Sequence, residues 1–94
     1  MVLFLAFFSE NKIIFIHTSE GRSYPIDYAL EAITNELNPQ KFFRINRGQL
    51  VAIDFIGDVI TYSNSRLKIK IPLAEKQEFI VARERVKDFK TWLG

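Results

Sequence analysis

The most constraining feature of this sequence is a succession of short β-forming runs that are separated by turn residues. In Arg66–Ile71 apolar and basic residues alternate strictly, which is the two-residue period of a strand with one buried face. The run Asn11–Ile26 places isoleucines and a phenylalanine on both sides of Ser-Glu-Gly, a pattern typical of a hairpin. Further strands are predicted in the apolar runs Met1–Phe8, Gln49–Ile56, Asp58–Tyr62 and Glu78–Ala82. The sequence therefore predicts a mainly β protein built from short strands.

Two segments instead show helical spacing. In Asp27–Leu37 apolar residues recur three and four positions apart, with Asp27 as the predicted N-cap and Asn38-Pro39 as the stop. The segment Ala82–Leu93 has an apolar stripe with a basic stripe beside it. The apolar stripe consists of Ala82, Val86, Phe89 and Leu93, and the basic stripe of Arg83, Lys87 and Lys90. We expect one mid-chain helix and one C-terminal helix.

The length of 94 residues predicts a single domain over residues 1–94 with a modest core. The absence of cysteine excludes disulfides and thiolate metal sites. The apolar run Met1–Phe8 has no basic residue before it and is far shorter than the roughly 20 residues of a spanning helix. We therefore interpret it as a buried strand and expect a cytoplasmic protein without a membrane partner.

The residues give no support for an enzyme. His17 is the only histidine, and no neighbouring base or nucleophile is indicated, so we expect a solvated or edge-strand side chain. Asp54 and Asp58 are separated by Gly57 and resemble turn residues. The sequence contains no glycine-rich phosphate loop and neither of the hydrolase motifs HExxH and GxSxG. We expect no catalysis, no cofactor and no metal.

Charge is distributed unevenly along the chain. Residues 1–40 contain two cationic residues against five acidic ones, whereas residues 41–94 contain eleven against six. A local cationic excess of this kind is typical of proteins that bind a polyanion. The net charge of +2 is too small to indicate a polyanion partner by itself.

The stretch KFFRINRGQLVAIDFI, Lys41–Ile56, places three polar side chains among apolar ones. Arginine can read guanine as a bidentate donor, asparagine can pair with adenine, and both Lys and Arg neutralise phosphates. The alternative is structural: Arg44 would cap backbone carbonyls or pair with an acid such as Asp54. That alternative is favoured for Arg44 and evenly balanced with DNA reading for Arg47. The Lys68 and Lys70 face is better explained as the solvated side of a sheet.

At this point two separated motifs resemble the LytTR family, the DNA-binding output domains of bacterial response regulators. FFRINRGQLVAIDFI is similar to the family pattern F-x-R-x-H-R-S-x-L-V-N, and IVARERVKDFKTWL resembles its V-S-R segment and final helix. YPIDYALEAI also resembles the strand that enters the family's first helix. The chain departs from the pattern at four positions, which are Asn46 for His, Gly48 for Ser, Ala52 for Asn and Ala82 for Ser. Base preference therefore does not carry over from relatives.

The resemblance implies small stacked antiparallel sheets of LytTR-like β-β-β type, with one mid-chain and one C-terminal helix. Loops and strand ends, rather than a recognition helix, would then enter successive major grooves. The base-reading residues implied are Arg47, Asn46 and Arg83, with Arg22 or Ser23 as a third contact. The implied phosphate-binding or supporting residues are Arg44, Gln49, Arg85 and Lys87.

The same resemblance implies a protein that regulates transcription within a two-component system. The partner would be double-stranded DNA at repeated promoter sites, bound by a homodimer. A receiver domain would lie upstream, outside this chain. The competing hypothesis is a small β-rich interaction module that binds a peptide or protein through a sheet edge, with its cations merely solvated. Salt dependence separates the two, because DNA binding weakens steeply with salt.

Overall fold

The computed structural model describes residues 2–94, so Met1, the first residue of the predicted N-terminal strand, lies outside them. The strands are β1 (Phe4–Glu10), β2 (Ile13–Thr18), β3 (Ser23–Ile26), β4 (Phe42–Asn46), β5 (Gln49–Ala52), β6 (Val59–Tyr62), β7 (Arg66–Ile69) and β8 (Phe79–Val81). The helices are α1 (Leu30–Glu36) and α2 (Val86–Leu93). Short 3-10 turns occupy Ile53–Phe55, Ser63–Ser65, Pro72–Ala74 and Arg83–Arg85. Within residues 2–94, no helix combines the length and apolar character that crossing a membrane requires.

The strands form two antiparallel sheets, as the mainly β prediction required. The large sheet has the order β3-β2-β1-β5-β4, and the small sheet has the order β6-β7-β8. The predicted hairpin is β2 paired with β3. Strand β1 is central, and its residues Leu5, Ala6 and Phe7 are buried, because α1 covers one face of the large sheet and the small sheet covers the other.

The core is divided between these two layers. The cluster between the sheets contains Ile45, Val51 and Phe89, and the cluster under α1 contains Leu50. Phe43 is partly buried against the first cluster. These five residues thus lie in or against the core on the two faces of the large sheet.

The start of α1 differs from the prediction. The helix begins at Leu30, with Ala29 in the N-cap position and no side-chain cap, so the prediction of Asp27 as the cap was wrong. The first helical bond runs from the Ile33 amide to the Ala29 carbonyl. The chain must first leave β3 at Ile26, and residues 27–29 make that change of direction.

His17 is buried, which contradicts the expectation of a solvated or edge-strand side chain. Its strand lies inside the large sheet, between β1 and β3. The imidazole Nδ1 is 2.7 Å from Ser23 Oγ, and Nε2 is 2.6 Å from the Leu73 carbonyl oxygen. The ring therefore joins the large sheet to the 3-10 turn Pro72–Ala74, which precedes the last strand of the small sheet.

The apolar stripe of α2 is shifted from its predicted position. Phe89 is fully buried, but Leu93 is 37% exposed, and Trp92 packs into the core in its place. The Trp92 ring lies 5.1 Å from that of Phe43, and its Nε1 donates to the Pro39 carbonyl over 3.0 Å. The 3-10 turn Arg83–Arg85 precedes the helix, so the helical period begins at Val86 rather than at Ala82.

The two outer strands of the large sheet have different surroundings. Strand β3 contains Pro25, which is paired with Phe15 in the ladder. Strand β4 lies against β8 of the small sheet, and the Ala82 amide donates to the Ile45 carbonyl over 2.9 Å. The contact between β4 and β8 brings the two sequence motifs together.

Candidate nucleic-acid interface

The first element of the candidate interface is the turn between β4 and β5. Arg47 and Gly48 form this turn, and Arg47 is exposed at its tip. The Ser9 amide donates to the Gly48 carbonyl over 2.8 Å, which fixes the turn against the end of β1. The large sheet thus presents the Arg47 guanidinium from a tight, anchored turn.

The second element is the segment between β8 and α2. Arg83 is exposed directly after the Ala82 amide that bonds to the Ile45 carbonyl. Arg85 is half-buried, and its Nη1 donates to the Arg44 carbonyl over 3.1 Å. The structure therefore brings Arg83 and Arg85 beside the strand that leads to Arg47, although the two motifs are far apart in sequence.

Asn46 and Gln49, the residues on either side of the turn, are both half-buried. Asn46 Nδ2 donates to Gln49 Oε1 over 2.8 Å and to the Ile80 carbonyl over 2.7 Å. Asn46 Oδ1 accepts from the Gly48 amide over 2.8 Å. Gln49 Nε2 donates to the Glu78 carbonyl over 2.7 Å, while its Oε1 accepts from the Ile80 amide over 3.2 Å. Both side chains are therefore engaged within the protein.

Arg44 makes the structural contacts that were the alternative to phosphate binding. Its side chain is only 16% exposed, and Nη2 donates both to the Arg47 carbonyl and to Glu31 Oε1, the latter over 3.2 Å. Asp54 is not its partner and lies 3.8 Å from Lys41 Nζ instead. The backbone hydrogen bond at Glu31 and the hydrogen bond and charge of Arg44 hold the pKa of the Glu31 carboxyl below its usual value.

The predicted third contact, Arg22 or Ser23, lies elsewhere. Ser23 belongs to β3, at the edge of the large sheet opposite β4, and pairs with His17. Across the sheet, this row of residues continues through Ala6 to Val51. Arg47 projects beyond the end of β4, past that row. The structure does not bring Arg22 or Ser23 to the same surface as Arg47 and Arg83.

Lys12 lies beside Arg47, although it was not among the DNA-binding residues predicted from the sequence. It lies in the β1–β2 turn with Asn11, and both have positive φ, of 67° and 52°. Lys12, Arg47 and Tyr28 line one open groove of about 960 Å³. An Asn-initiated two-residue turn between two β runs is a recognisable hairpin signal, so the SENK stretch could have revealed this turn.

The remaining cations differ in their availability. Lys87 is exposed on the first turn of α2, after the segment that carries Arg83. Lys68 is 3.3 Å from Glu78 Oε2 and lies on the outer side of the small sheet, as the alternation predicted. The exposed Arg47, Arg83 and Lys87 form no salt bridge within residues 2–94, an arrangement that suits a polyanion partner.

The comparisons with known proteins agree with this architecture. Residues 2–94 match the family model described as the LytTr DNA-binding domain. A solved structure from Bacillus cereus, the LytTr DNA-binding domain of a candidate methyl-accepting/DNA response regulator, superposes with a TM-score of 0.85 at 16% identity. The match covers 97% of this chain and 81% of that one. No curated protein matches the sequence significantly. With the family pattern matched over residues 2–94, the chain belongs to the LytTR family of DNA-binding domains.

Proposed function

We propose that this domain binds specific sequences in double-stranded DNA and is the output module of a response regulator in a two-component system. The observation that carries the proposal is the contact of β8 with β4, which places the exposed Arg47 and Arg83 next to one strand. Family membership supports DNA binding and transcription regulation, while the specificity is inferred from these two arginines.

The shape of the domain supports recognition by turns rather than by an inserted helix. The 3-10 turn Arg83–Arg85 is held to β4 by the Arg85 side chain, so Arg83 is presented by an anchored turn and not from within a helix. The two-residue turn of Arg47 is narrow compared with a major groove about 12 Å wide. The longest dimension of the domain is 32 Å, close to the roughly 34–36 Å of one DNA turn.

Individual roles follow from exposure and from existing bonds. Arg47 and Arg83 are the base readers, because their side chains are exposed on the two segments. Lys87 and Lys12 are exposed at the margins and bind phosphates. A larger group supports the segments through internal bonds, and it comprises Arg44, Asn46, Gln49 and Arg85. We assign no base contact to Arg22 or Ser23.

The cellular context of the proposal is that of a bacterial cytoplasmic regulator. A receiver domain joined upstream would control access to DNA, and two copies would bind repeated promoter sites. The output of the domain itself is binding rather than catalysis.

Selection of bound sequences from a random duplex pool tests the proposal directly. The preferred site and random DNA are then titrated with Arg47→Ala, Arg83→Ala and Lys87→Ala. Each arginine variant should lose about 1–3 kcal/mol for the preferred site and much less for random DNA. Lys87→Ala should weaken both alike and make the salt slope shallower by about one unit.

Several outcomes would contradict parts of the proposal. An Arg47→Ala protein with a lower melting temperature and an unchanged ratio of specific to random affinity would remove Arg47 from the base readers. No binding to duplex at low salt and micromolar protein would contradict DNA binding itself. Binding of a protein or peptide that is insensitive to salt would instead support the sheet-edge hypothesis.

A further inference from the structure

The two DNA-reading segments belong to different sheets, and side chains make most of the polar bonds between them. The turn of Arg47 is part of the large sheet, whereas Arg83 follows β8 of the small sheet. One backbone bond, from the Ala82 amide to the Ile45 carbonyl, joins β8 to β4. Asn46 and Gln49, here called the amide pair, add three bonds from their side chains to the backbone of β8 and of the residue before it.

The environment of Asn46 suits an amide and leaves it no free donor. The Ile80 carbonyl and Gln49 Oε1 both need a donor, and the Gly48 amide needs an acceptor. One Asn side chain satisfies all three, since it carries two N–H groups and a carbonyl oxygen. Reading adenine would require one of those donors. Asn46 would therefore have to break an internal bond in order to contact a base in the usual bidentate way.

Gln49 fixes the other end of the same network. Its Oε1 accepts from both Asn46 Nδ2 and the Ile80 amide, which leaves Nε2 to donate to the Glu78 carbonyl. These bonds determine the orientation of the Gln49 amide. A flipped amide would place its NH2 group against the Ile80 amide and Asn46 Nδ2, and its oxygen against the Glu78 carbonyl. The pair thus specifies which residues of β8 lie beside the turn.

The Arg85 side chain adds one bond to the Arg44 carbonyl, and the larger part of the contact between the sheets is apolar. The cluster around Val51, Phe79 and Phe89 holds the layers together, but hydrophobic burial is non-directional and defines a position along a strand only loosely. Hydrogen bonds have preferred distances and angles and therefore define it sharply.

Building on the proposed function, we infer that the amide pair is a positioning device that sets the distance between Arg47 and Arg83, and hence the spacing between the base pairs that each reads. Asn46 is then a positioning residue rather than a base reader. The amide pair depends on Asn46, which this chain has where the family pattern has histidine.

The first test measures how strictly the DNA must keep the distance between the base pairs read by Arg47 and by Arg83. Starting from the selected site, one base pair is inserted between the positions whose preference is lost in Arg47→Ala and in Arg83→Ala. The insertion should lower the affinity of the native protein about tenfold or more, the size of a lost base contact. In Asn46→Ala the penalty should fall to about twofold, while the preferred base at each position is unchanged. Gln49→Ala, which keeps the bonds from Asn46 to Ile80 and Gly48, is the second variant if Asn46→Ala does not fold.

A DNA-free measurement tests the same inference independently. The chain has no cysteine, so spin labels can be attached uniquely at Glu20→Cys on the β2–β3 turn and Thr61→Cys on β6. Both positions are exposed and belong to different sheets. The distance distribution between the labels should broaden in Asn46→Ala and stay narrow in the control Gln40→Ala, which removes an exposed amide from the α1–β4 connection.

The outcomes separate this inference from the proposed function. If Asn46→Ala kept the strict spacing requirement but lost the base preference at one position, Asn46 would be a base reader and the inference would be overturned. A lower melting temperature with unchanged spacing and unchanged label distances would overturn it as well. If the native protein selected no sequence, the proposed function would fail, and the label distances alone would decide whether the amide pair positions the sheets.

Discussion

Truncation of Phe89 is the most direct test of how the second motif supports the first. Phe89 is fully buried on α2 between the two sheets. Its ring lies 5.8 Å from that of Phe43 at 63° and 5.7 Å from that of Trp92 at 41°. Phe89→Ala would remove one ring of this aromatic trio, and with it two of the three ring contacts, and leave a cavity between α2 and β4.

The expected loss is large for a chain of this size. A buried Phe cut to Ala costs about 3–5 kcal/mol from lost transfer energy and the cavity. Each aromatic pair is worth roughly 0.5–1.5 kcal/mol beyond its area, so the upper part of that range applies here. A 94-residue domain has a total stability of about 5–14 kcal/mol. A loss of about 4 kcal/mol would lower the melting temperature by roughly 15–30 °C.

Thermal and urea unfolding followed by circular dichroism would measure this loss. The matched control is Leu93→Ala on the same helix, which removes a side chain that is 37% exposed and should cost less than about 1 kcal/mol. If Phe89→Ala melted within a few degrees of the native protein, α2 would not be packed between the sheets. If Leu93→Ala were as destabilising as Phe89→Ala, Leu93 would be buried, as the predicted apolar stripe required, and not exposed as observed.

Two further predictions concern the loss of stability at acidic pH and the close approach of Gly57 to the backbone of Lys70. The pKa of Glu31 is held below its usual 4.5, so its contribution is fully present above that pH and is lost as pH falls through the lower folded value. Glu31→Gln should therefore flatten the fall of the urea midpoint between pH 5 and pH 3, and an unchanged slope would contradict the lowered pKa of Glu31. A Cβ at Gly57 would lie 2.9 Å from the Lys70 carbonyl oxygen, so Gly57→Ala should cost about 1–3 kcal/mol in urea unfolding. A Cβ at Gly48 would meet Ser9 Cβ at 3.4 Å and Asn46 Oδ1 at 3.9 Å, so Gly48→Ala should be nearly neutral, and equal losses for the two variants would contradict this geometry.

Local patterns predicted most of the secondary structure. The alternation of Leu67 and Ile69 with basic residues needs only neighbouring positions to be recognised, and both are buried on β7. The SEG turn likewise lies within one hairpin. The paired motifs predicted the family, because their sequence is specific over several adjacent residues.

Features that depend on distant residues were not predictable from those patterns. Nothing near His17 indicates that Leu73, 56 positions later, supplies the carbonyl that binds its ring. Arg44 is paired with Glu31 of α1 rather than with the acid closer in sequence, because α1 lies over the large sheet.

The composition of the candidate site depends on strand order. Strand β1 lies between β2 and β5, so the β1–β2 turn with Lys12 comes next to the turn of Arg47. Arg22 lies in the β2–β3 turn, at the other end of β2. The predicted hairpin alone does not show which end of β2 lies near Arg47, whereas the pairing of β1 with β5 does.

Pro25 on β3 has a consequence for how copies of this chain can associate. An outer strand with a full row of amide protons can add a strand from a neighbouring molecule, and proline removes one of those donors. The proline at this edge therefore opposes the addition of a strand from a second copy of the chain, which would otherwise extend the large sheet into an intermolecular one.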